Sequence, residues 1–347
     1  MEDKDEIVVA LVRRIEGKGC HSAADDLIAL SESNMCARRE LGRLILDGLV
    51  PGYTYQEGIE LVEECVNAGD AQAAYTLALE LDAWGHFAAA DVTPERVFAL
   101  YLLAAQKGHS GALNNLGWCF QTGFGVEPDE TRAHELWLEA AAGGDVDAFA
   151  NLGRDYDLGM GVAADENLAR VWYTRAANAG HAGATVRLAE LALRDSSGGS
   201  RISSALTALE TVWANEEAPK YDRASAAYNL ALAYEEGRGV AVDLSRSHLL
   251  LRWAALAGLA AAQVDLGYLL YNGEGLAADP EEAVRLYRLA AAQGNTSGMY
   301  NLAIACEDGE GVGQDIEEAL RWYQRAAELG HEGSRAALSR LDSESTR

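Results

Sequence analysis

Proline and cysteine are scarce in this chain of 347 residues. Only 5 prolines stand against 35 glycines, so long helices can form and glycine must mark where they end. The 5 cysteines are irregularly spaced and include no CxxC pair. This usage predicts free thiols in a reducing compartment rather than a disulfide framework. No run of about 18 apolar residues occurs, and so no membrane-spanning segment is expected.

Basic residues are scarce as well. The 28 Lys and Arg face 54 Asp and Glu, which gives a formal net charge of −26. Since nucleic acids and anionic membranes are bound through Lys and Arg, neither is an expected partner. A basic protein or peptide would be attracted, although the same acidity also keeps a protein soluble. Residues 1–6 have neither the positive start nor the apolar core of a signal peptide, so a cytoplasmic location is expected.

The motifs of common enzyme sites are missing too. The chain has no HExxH, no GxSxG and no SxxK of the β-lactamase type. Its Gly-x-Gly stretches lack the GK[ST] of a phosphate loop. Three of the seven histidines, His109, His181 and His331, directly follow a glycine that is expected to end a helix, where a role in the turn is expected rather than metal binding. We therefore predict no catalytic residue, no metal site and no cofactor.

One phrase recurs along the chain with a fixed spacing. It reads NLGRDYDLGMGV at Asn151 and NLALAYEEGRGV at Asn229. Asn115 precedes Asn151 by 36 residues, and the phrases from Asn229 onward keep the same spacing. Related phrases begin at Asn114, Asp265 and Asn301. A period kept over so much of the chain indicates an array of structural repeats.

Each repeat is predicted to be a pair of antiparallel helices. Apolar residues spaced by three and four, as in Ala148, Leu152 and Tyr156, predict the first helix. The Gly-x-Gly-Val stretch ends it, because glycine adopts positive φ without strain. An aspartate then caps the second helix, and Glu282 and Glu318 are expected to complete capping boxes. The capping residues are Asp129, Asp165, Asp243, Asp279 and Asp315, and the closing glycines are Gly144, Gly180, Gly258, Gly294 and Gly330.

The period predicts an all-α fold, a right-handed α/α superhelical solenoid of about eight helix-turn-helix units with helical caps. Residues 1–34 are the expected N-terminal helical cap, 35–331 the solenoid, and 332–347 a C-terminal cap helix and tail. The second unit is longer around Phe87 to Thr93, and the fifth carries longer loops at Asp195 to Ser203 and Asn215 to Tyr221. The units are 35–70, 71–109, 110–145, 146–181, 182–223, 224–259, 260–295 and 296–331.

The recurring phrase resembles the signature of the Sel-one-like repeat (SLR) family, a relative of tetratricopeptide repeats. The matching pattern, A-x-x-x-L-G-x-x-Y-x-x-G-x-G-V followed by D, A-x-x-W-Y and A-A-x-x-G, is best kept at residues 110–181 and 224–331. The resemblance implies an α/α solenoid whose first helices line a concave groove. It also implies an adaptor or scaffold that binds other proteins, many such proteins being bacterial. Some cysteine-rich relatives bind β-lactams, but this chain lacks their regular cysteine pair.

The resemblance further implies which side chains face that groove. The residue before each Leu-Gly or Leu-Ala pair points into it, and residues three and six positions later share its face. Arg43 and Arg187 add positive charge. Two questions stay open: whether the Asn side chains bind a peptide or their own scaffold, and whether Trp118 is an exposed contact or a core residue. The candidate residues are Asn115, Trp118, Asn151, Arg154, Asn229, Glu235, Asp265, Tyr268, Tyr271, Asn301 and Glu307.

The sequence thus predicts a non-catalytic scaffold or adaptor that binds a protein or peptide, with a basic partner favoured by charge. A second hypothesis is a bacterial immunity protein that inhibits a toxic enzyme, since a net charge of −26 suits a basic, nucleic-acid-directed target. A third is a hydrolase of the β-lactam-binding SLR type, which no motif supports. The sequence determines neither the identity of the partner nor the oligomeric state.

Overall fold

The computed structural model describes residues 4–18, 21–83, 92–194 and 199–345. Every regular element in these ranges is an α-helix, which confirms the predicted all-α class. None of these helices combines the length and the apolar character needed to cross a bilayer. The helices are α1 (Lys4–Lys18), α2 (His21–Ser31), α3 (Met35–Leu46), α4 (Tyr55–Asn67), α5 (Ala71–Ala83), α6 (Pro94–Ala105), α7 (Ser110–Thr122), α8 (Glu130–Ala142), α9 (Val146–Leu158), α10 (Glu166–Asn178), α11 (Ala182–Arg194), α12 (Gly199–Ala214), α13 (Lys220–Glu236), α14 (Leu244–Ala257), α15 (Ala260–Asn272), α16 (Pro280–Ala292), α17 (Thr296–Asp308), α18 (Ile316–Glu328) and α19 (Glu332–Ser345).

The chain divides into two compact bodies. The N-terminal body is Met1–Ala179 and carries α1 to α10, and the C-terminal body is Gly180–Arg347 and carries α11 to α19. Within each body, consecutive helices pack as hairpins, α7 on α8 and α13 on α14 for example. The helices from α3 to α18 form eight consecutive pairs, which confirms the solenoid of helical hairpins. The exact unit boundaries remain predictions.

Apolar side chains hold neighbouring hairpins together. In the N-terminal body, α1 to α3 close over Leu27 and Leu44, and α4 to α9 close over Tyr101 and Trp137. In the C-terminal body one cluster runs from α11 to α19 and includes Tyr287. Each such side chain stabilises the fold by roughly 1.5–3 kcal/mol when it is fully buried. The clusters join helices that follow one another in the sequence, so each repeat is stabilised by its contacts with the neighbouring repeats.

The predicted aspartate caps are confirmed for the second helices. The Asp129 carboxylate accepts from the Arg132 amide at 2.9 Å, and the other four aspartates accept from the first turn in the same way. The expected capping boxes at Glu282 and Glu318 are wrong. The amide of Asp279 instead donates to the Leu270 carbonyl at 2.9 Å, so it offers no hydrogen for Glu282. The amide of Asp315 is likewise taken, by the carbonyl of Cys306.

These backbone bonds recur in every well-kept repeat, where they join the end of the first helix to the start of the second. The amide of Asp165 donates to the Tyr156 carbonyl at 2.8 Å, for example. A complete capping box forms only outside these repeats among the described residues, between Thr54 and Glu57. In these repeats the amide of the capping aspartate therefore bonds to the first helix of the hairpin, and not to a Glu side chain as in a capping box.

The two glycines of the Gly-x-Gly-Val turn have different tasks. Gly159 ends α9 in the left-handed region, with φ of 73°, and its amide donates to the Asp155 carbonyl. Gly161 also has positive φ, but its surroundings differ: a Cβ there would lie 2.2 Å from the backbone oxygen of Glu130 at the start of α8. Gly125 and Gly311 make the same close approach to Pro94 and Pro280. The second glycine therefore lets one hairpin rest on the preceding one.

The three histidines that follow a closing glycine cap helices, as expected for a turn role. Nδ1 of His109 accepts from the Ala112 amide at 3.1 Å, and His181 and His331 make the equivalent bond at α11 and α19. Of the expected loops, most of Phe87 to Thr93 and the start of Asp195 to Ser203 lie outside the described residues. The rest of the latter is helical, because α12 already begins at Gly199.

Candidate binding surface

The first helices of the hairpins carry the predicted groove residues. In the N-terminal body, α7 runs from the His109 cap to Gly123, and α9 runs from the Asp145 cap to Gly159. Each has 13 residues between these stops, so equivalent positions recur on both helices. Side-chain hydrogen bonds join α7 to α9 directly, and the two helices therefore form one surface.

A concavity lies at this surface between α5 and α7. Its volume is about 310 Å³, and its lining is Leu79, Asp82, Asn115 and Trp118. We call these four residues the Trp118 concavity. Leu79 is 38 % exposed and Trp118 is 39 % exposed, and the Tyr101 hydroxyl donates to Asp82 at 3.1 Å. The concavity therefore presents an apolar wall beside a carboxylate and an amide.

Trp118 lies on the surface because another tryptophan fills the core of its hairpin. Trp137 of α8 is almost completely buried, and its Nε1 donates to the Asn114 carbonyl at 3.0 Å. Its indole lies against Gly117, where a Cβ would come within 2.6 Å of Nε1. The Trp118 ring packs sideways on Phe124, with ring centroids 5.3 Å apart. Trp137 of α8 thus packs against one face of α7, whereas Trp118 of α7 is exposed.

The asparagines of the predicted row bond largely to the scaffold. Nδ2 of Asn151 donates to Oδ1 of Asn114 at 2.9 Å, and Nδ2 of Asn114 donates to Oδ1 of Asn115 at 3.1 Å. In the C-terminal body, Nδ2 of Asn229 donates to Glu190 at 3.0 Å and to the Ser225 carbonyl at 2.8 Å. The donor groups of these asparagines therefore join neighbouring helices. Asn301 is half-buried on α17.

Arg154 is a second link between α7 and α9. Its Nη2 donates to Oε1 of Gln121 at 2.6 Å, and its guanidinium lies 5.6 Å from the centroid of the Trp137 ring. Its Nε is buried without a hydrogen-bond partner among the described residues. These contacts hold Arg154 across two repeats, and only part of its side chain faces solvent.

Two acidic groove candidates of the C-terminal body are engaged by the protein itself. Asp265 accepts from the Tyr228 hydroxyl at 2.7 Å, and burial raises the pKa of its carboxyl. Glu307 accepts from Arg340 of α19 at 2.6 and 2.8 Å, and from the Tyr323 hydroxyl at 2.9 Å. Arg340 of α19 therefore covers Glu307 and neutralises its charge.

Tyr268 and Glu235 are exposed on the same body, Tyr268 by 48 %. The hydroxyl of Tyr271 is buried beside Asp308 and Glu310, and burial raises its pKa to about 12. Asp308 and Glu310 themselves are exposed. What α13 to α17 offer a partner is thus an aromatic ring and carboxylates near the ends of the helices.

A buried ionisable pair joins α8 to α9 and was not anticipated. Nδ1 of His134 donates to Oδ2 of Asp155 at 2.7 Å, and both residues are buried. Oδ1 of Asp155 has no hydrogen-bond partner in the described structure, and burial raises the pKa of the carboxyl to about 6 against the opposing effect of His134. The pair therefore links two neighbouring repeats within the N-terminal body.

No group of three or more His, Cys, Asp or Glu side chains in the described ranges is placed to hold a metal ion. The described cysteines Cys36, Cys65, Cys119 and Cys306 are free thiols, and burial raises the pKa of Cys119 to about 12. Cys20 lies outside the described residues.

Sequence reasoning missed two residues of the Trp118 concavity. Thr76 stands before the Leu77-Ala78 pair, and Leu79 and Asp82 follow it by three and six positions. The first of these offsets also gives Trp118 after Asn115. The second repeat departs from the family signature, and its groove-facing positions were therefore not among the candidate residues. Applying the offsets to every repeat would have found both residues.

The sequence and the structure match one family. The Sel1 repeat model matches more than half of the chain, at residues 110–145, 147–181, 224–259, 260–295 and 296–331. No curated protein matches the chain. The matched repeats are those in which the aspartate caps and Gly-x-Gly turns described above are best formed.

Solved structures with the same fold come from several bacteria. The chain is similar to a protective antigen of uropathogenic Escherichia coli that displays an SLR fold, at 27% identity over 92% of this chain and 67% of that one, with a TM-score of 0.61. A Sel1 repeat protein from Oxalobacter formigenes has 22% identity over 98% and 95%, with a TM-score of 0.57. An immunity protein from Pseudomonas aeruginosa has 18% identity over 65% of this chain and 82% of that one, with a TM-score of 0.45. On the evidence of the repeat matches and the helical hairpins, this chain belongs to the Sel1 repeat family.

Proposed function

We propose that this protein is a non-catalytic scaffold that binds a protein partner, and that the Trp118 concavity is the main contact on its N-terminal body. The observation that carries the proposal is the pair of exposed apolar side chains, Trp118 and Leu79, beside Asp82 and Asn115. Tryptophan is among the residues that dominate binding energy at protein interfaces. Interfaces also combine such anchors with a few polar groups that fix register.

The charge of the chain favours a basic partner. The net charge is −26, and Glu235, Asp308 and Glu310 are exposed on the C-terminal body. Exposed charges steer association and are screened by salt, with a Debye length of about 8 Å at physiological ionic strength. We therefore expect the association rate for the partner to fall as salt is added.

The test is capture of the partner from cells of the source organism, followed by affinity measurements with purified components. Trp118→Ala should weaken binding by about 30-fold, which corresponds to about 2 kcal/mol. Leu79→Ala should weaken it by several-fold. The matched control is Leu138→Ala, because Leu138 of α8 is 40 % exposed in the same body but lies on a second helix. Unchanged affinity for both Trp118→Ala and Leu79→Ala would overturn the proposal.

A narrower candidate is an inhibitor of a basic toxic enzyme, as expected of an immunity protein. The charge of −26 supports it, since such a target would carry an electropositive active-site cleft. The test is titration of the captured partner's enzymatic activity with this protein. Stoichiometric inhibition supports this role, and an active complex contradicts it. Esterase and nitrocefin assays on the pure protein should show no turnover.

A further inference from the structure

Three arginines converge on the C-terminal body of this otherwise acidic chain. Arg187 and Arg194 of α11 and Arg238, which follows α13, line a cavity of about 300 Å³ together with Glu190 and Asn229. We call these five residues the arginine pocket. It was not among the predicted sites as a unit, although Arg187 and Asn229 were each placed on the groove face.

Internal contacts hold the pocket in place. Nη1 of Arg187 donates to Oε2 of Glu190 at 2.8 Å, and Oε1 of the same carboxylate accepts from Asn229 at 3.0 Å. Nη1 of Arg238 donates to the Leu193 carbonyl at 3.3 Å. Both oxygens of Glu190 are therefore occupied by its neighbours. Fixed donors of this kind bind a ligand with less loss of side-chain freedom.

One guanidinium of the pocket has no counter-charge among the described residues. Arg238 is paired with Glu236, and Arg187 is paired with Glu190. Arg194 is exposed and has neither a hydrogen bond nor an ion pair in the ranges that the structure describes. Among the described residues, these pairs leave the charge of Arg194 without a counter-charge.

The repeat itself does not require these arginines. Seven residues after the groove position, where this repeat has Arg194, other repeats carry neutral or acidic residues: Thr122, Leu158, Glu236, Asn272 and Asp308. Nine residues after it, where the next repeat has Arg238, others carry Phe124, Met160, Glu274 and Glu310. Since the hairpins fold with those residues too, the arginines are not explained by the scaffold.

We propose that the arginine pocket is an anion subsite that takes one carboxylate of a bound polypeptide, either an Asp or Glu side chain or a C-terminus. A guanidinium presents paired N–H donors that match the two oxygens of a carboxylate. The charge of Arg194 matches a monovalent anion, and a cavity of about 300 Å³ admits one side chain. The polypeptide as the source of the carboxylate rests on the proposed function.

The test uses small probes on the full-length protein, so it does not need the partner. N-acetylglutamate, the uncharged diamide N-acetylglutaminamide and inorganic phosphate are each titrated at constant ionic strength, and the side-chain amide signal of Asn229 is followed by NMR. N-acetylglutamate should give saturable shifts at Asn229, and N-acetylglutaminamide, which has no carboxylate, should give none. Arg194→Gln should weaken N-acetylglutamate binding by about tenfold, the effect of losing one charge-assisted hydrogen bond.

The control is Arg252→Gln, because Arg252 is an exposed arginine on α14 that lies outside the pocket. This variant should bind N-acetylglutamate like the unmodified protein. The proposal is overturned if N-acetylglutamate gives no saturable shift, if Arg194→Gln binds it equally well, or if phosphate binds more tightly than the carboxylate.

Failure here and failure of the proposed function are distinguishable. The titration reports on α11 and α13 alone, and the Trp118 concavity lies in the N-terminal body. A captured partner sensitive to Trp118→Ala, combined with no response to N-acetylglutamate, would reject the subsite and keep the scaffold. Saturable binding of N-acetylglutamate, combined with a partner affinity that Trp118→Ala leaves unchanged, would keep the anion subsite and reject the partner contact.

Discussion

Replacing Gly161 by alanine tests how successive hairpins rest on each other, and Gly159→Ala is the matched control in the same turn. Both glycines have positive φ, 65° at Gly161 and 73° at Gly159. An alanine in this region costs about 1–2 kcal/mol at either position. The surroundings differ, because a Cβ at Gly159 would meet Ala164 at 3.4 Å, whereas one at Gly161 would lie 2.2 Å from the Glu130 oxygen.

The contact at Gly161 is with backbone, so no side-chain rotation relieves it. Either the turn or the first residue of α8 must move, and overpacking of this kind costs about 1–3 kcal/mol more. The side chain of Glu130 also accepts from the Gly161 amide at 3.3 Å, a bond that the movement would disturb. We therefore expect Gly161→Ala to lower the free energy of unfolding by about 2–5 kcal/mol, and Gly159→Ala by about 1–2 kcal/mol.

Urea denaturation followed by circular dichroism measures the two losses, and hydrogen exchange locates them. In Gly161→Ala, faster exchange should reach the first turn of α8, which belongs to the preceding hairpin. In Gly159→Ala it should stay at the end of α9. Equal losses of stability in the two variants, with exchange unchanged in α8, would refute the contact between hairpins.

Three further predictions follow from buried groups. His134→Ala should lower the free energy of unfolding by about 3–5 kcal/mol at pH 8, because the buried Asp155 carboxylate loses its donor. The pKa of Asp155, about 6, lies above the unfolded value of about 3.9, so the contribution of this carboxyl to stability falls as the pH rises through 6. The loss of stability in His134→Ala should therefore be smaller at pH 4–5. Urea denaturation at several pH values measures it, and His134→Gln, which keeps a hydrogen-bond donor, is the control. Tyr228→Phe should cost about 1–2 kcal/mol and raise the pKa of Asp265 further, which NMR titration of that carboxyl measures. The Cys119 thiol, with a pKa of about 12, should react with a thiol reagent only when the protein is unfolded, and fast labelling of the native protein would contradict its burial.

Local signals were sufficient for the fold. Three local features predicted the hairpins: the 36-residue spacing, the aspartate caps and the helix-ending glycines. Each depends on a few neighbouring residues and can therefore be read from the amino-acid sequence. Where the local rule failed, at the capping boxes of Glu282 and Glu318, a backbone bond from nine residues earlier in the chain had taken the amide. That competitor exists only once the hairpin is folded.

The candidate site was less predictable. The offsets along the first helix selected Trp118 and Tyr268 but left open whether Trp118 lies on the surface or in the core, and the structure has both residues exposed. The same offsets contain Leu79 and Asp82. They did not show that Glu307 is covered by Arg340. This pairing joins residues 33 apart in the sequence, and nothing in the local pattern of either helix indicates it.

The sequence by itself therefore determined the helices, their ends and the family, because period and capping are properties of short segments. Only the tertiary structure decided which polar groups stay available to a partner. Asp265 and Asn151 are occupied by side chains 37 residues away, and Arg194 is left without a counter-charge in the described ranges. The physical reason is that a hydrogen bond or ion pair between two hairpins depends on how they pack, and each acceptor satisfied inside the fold is one fewer for a ligand.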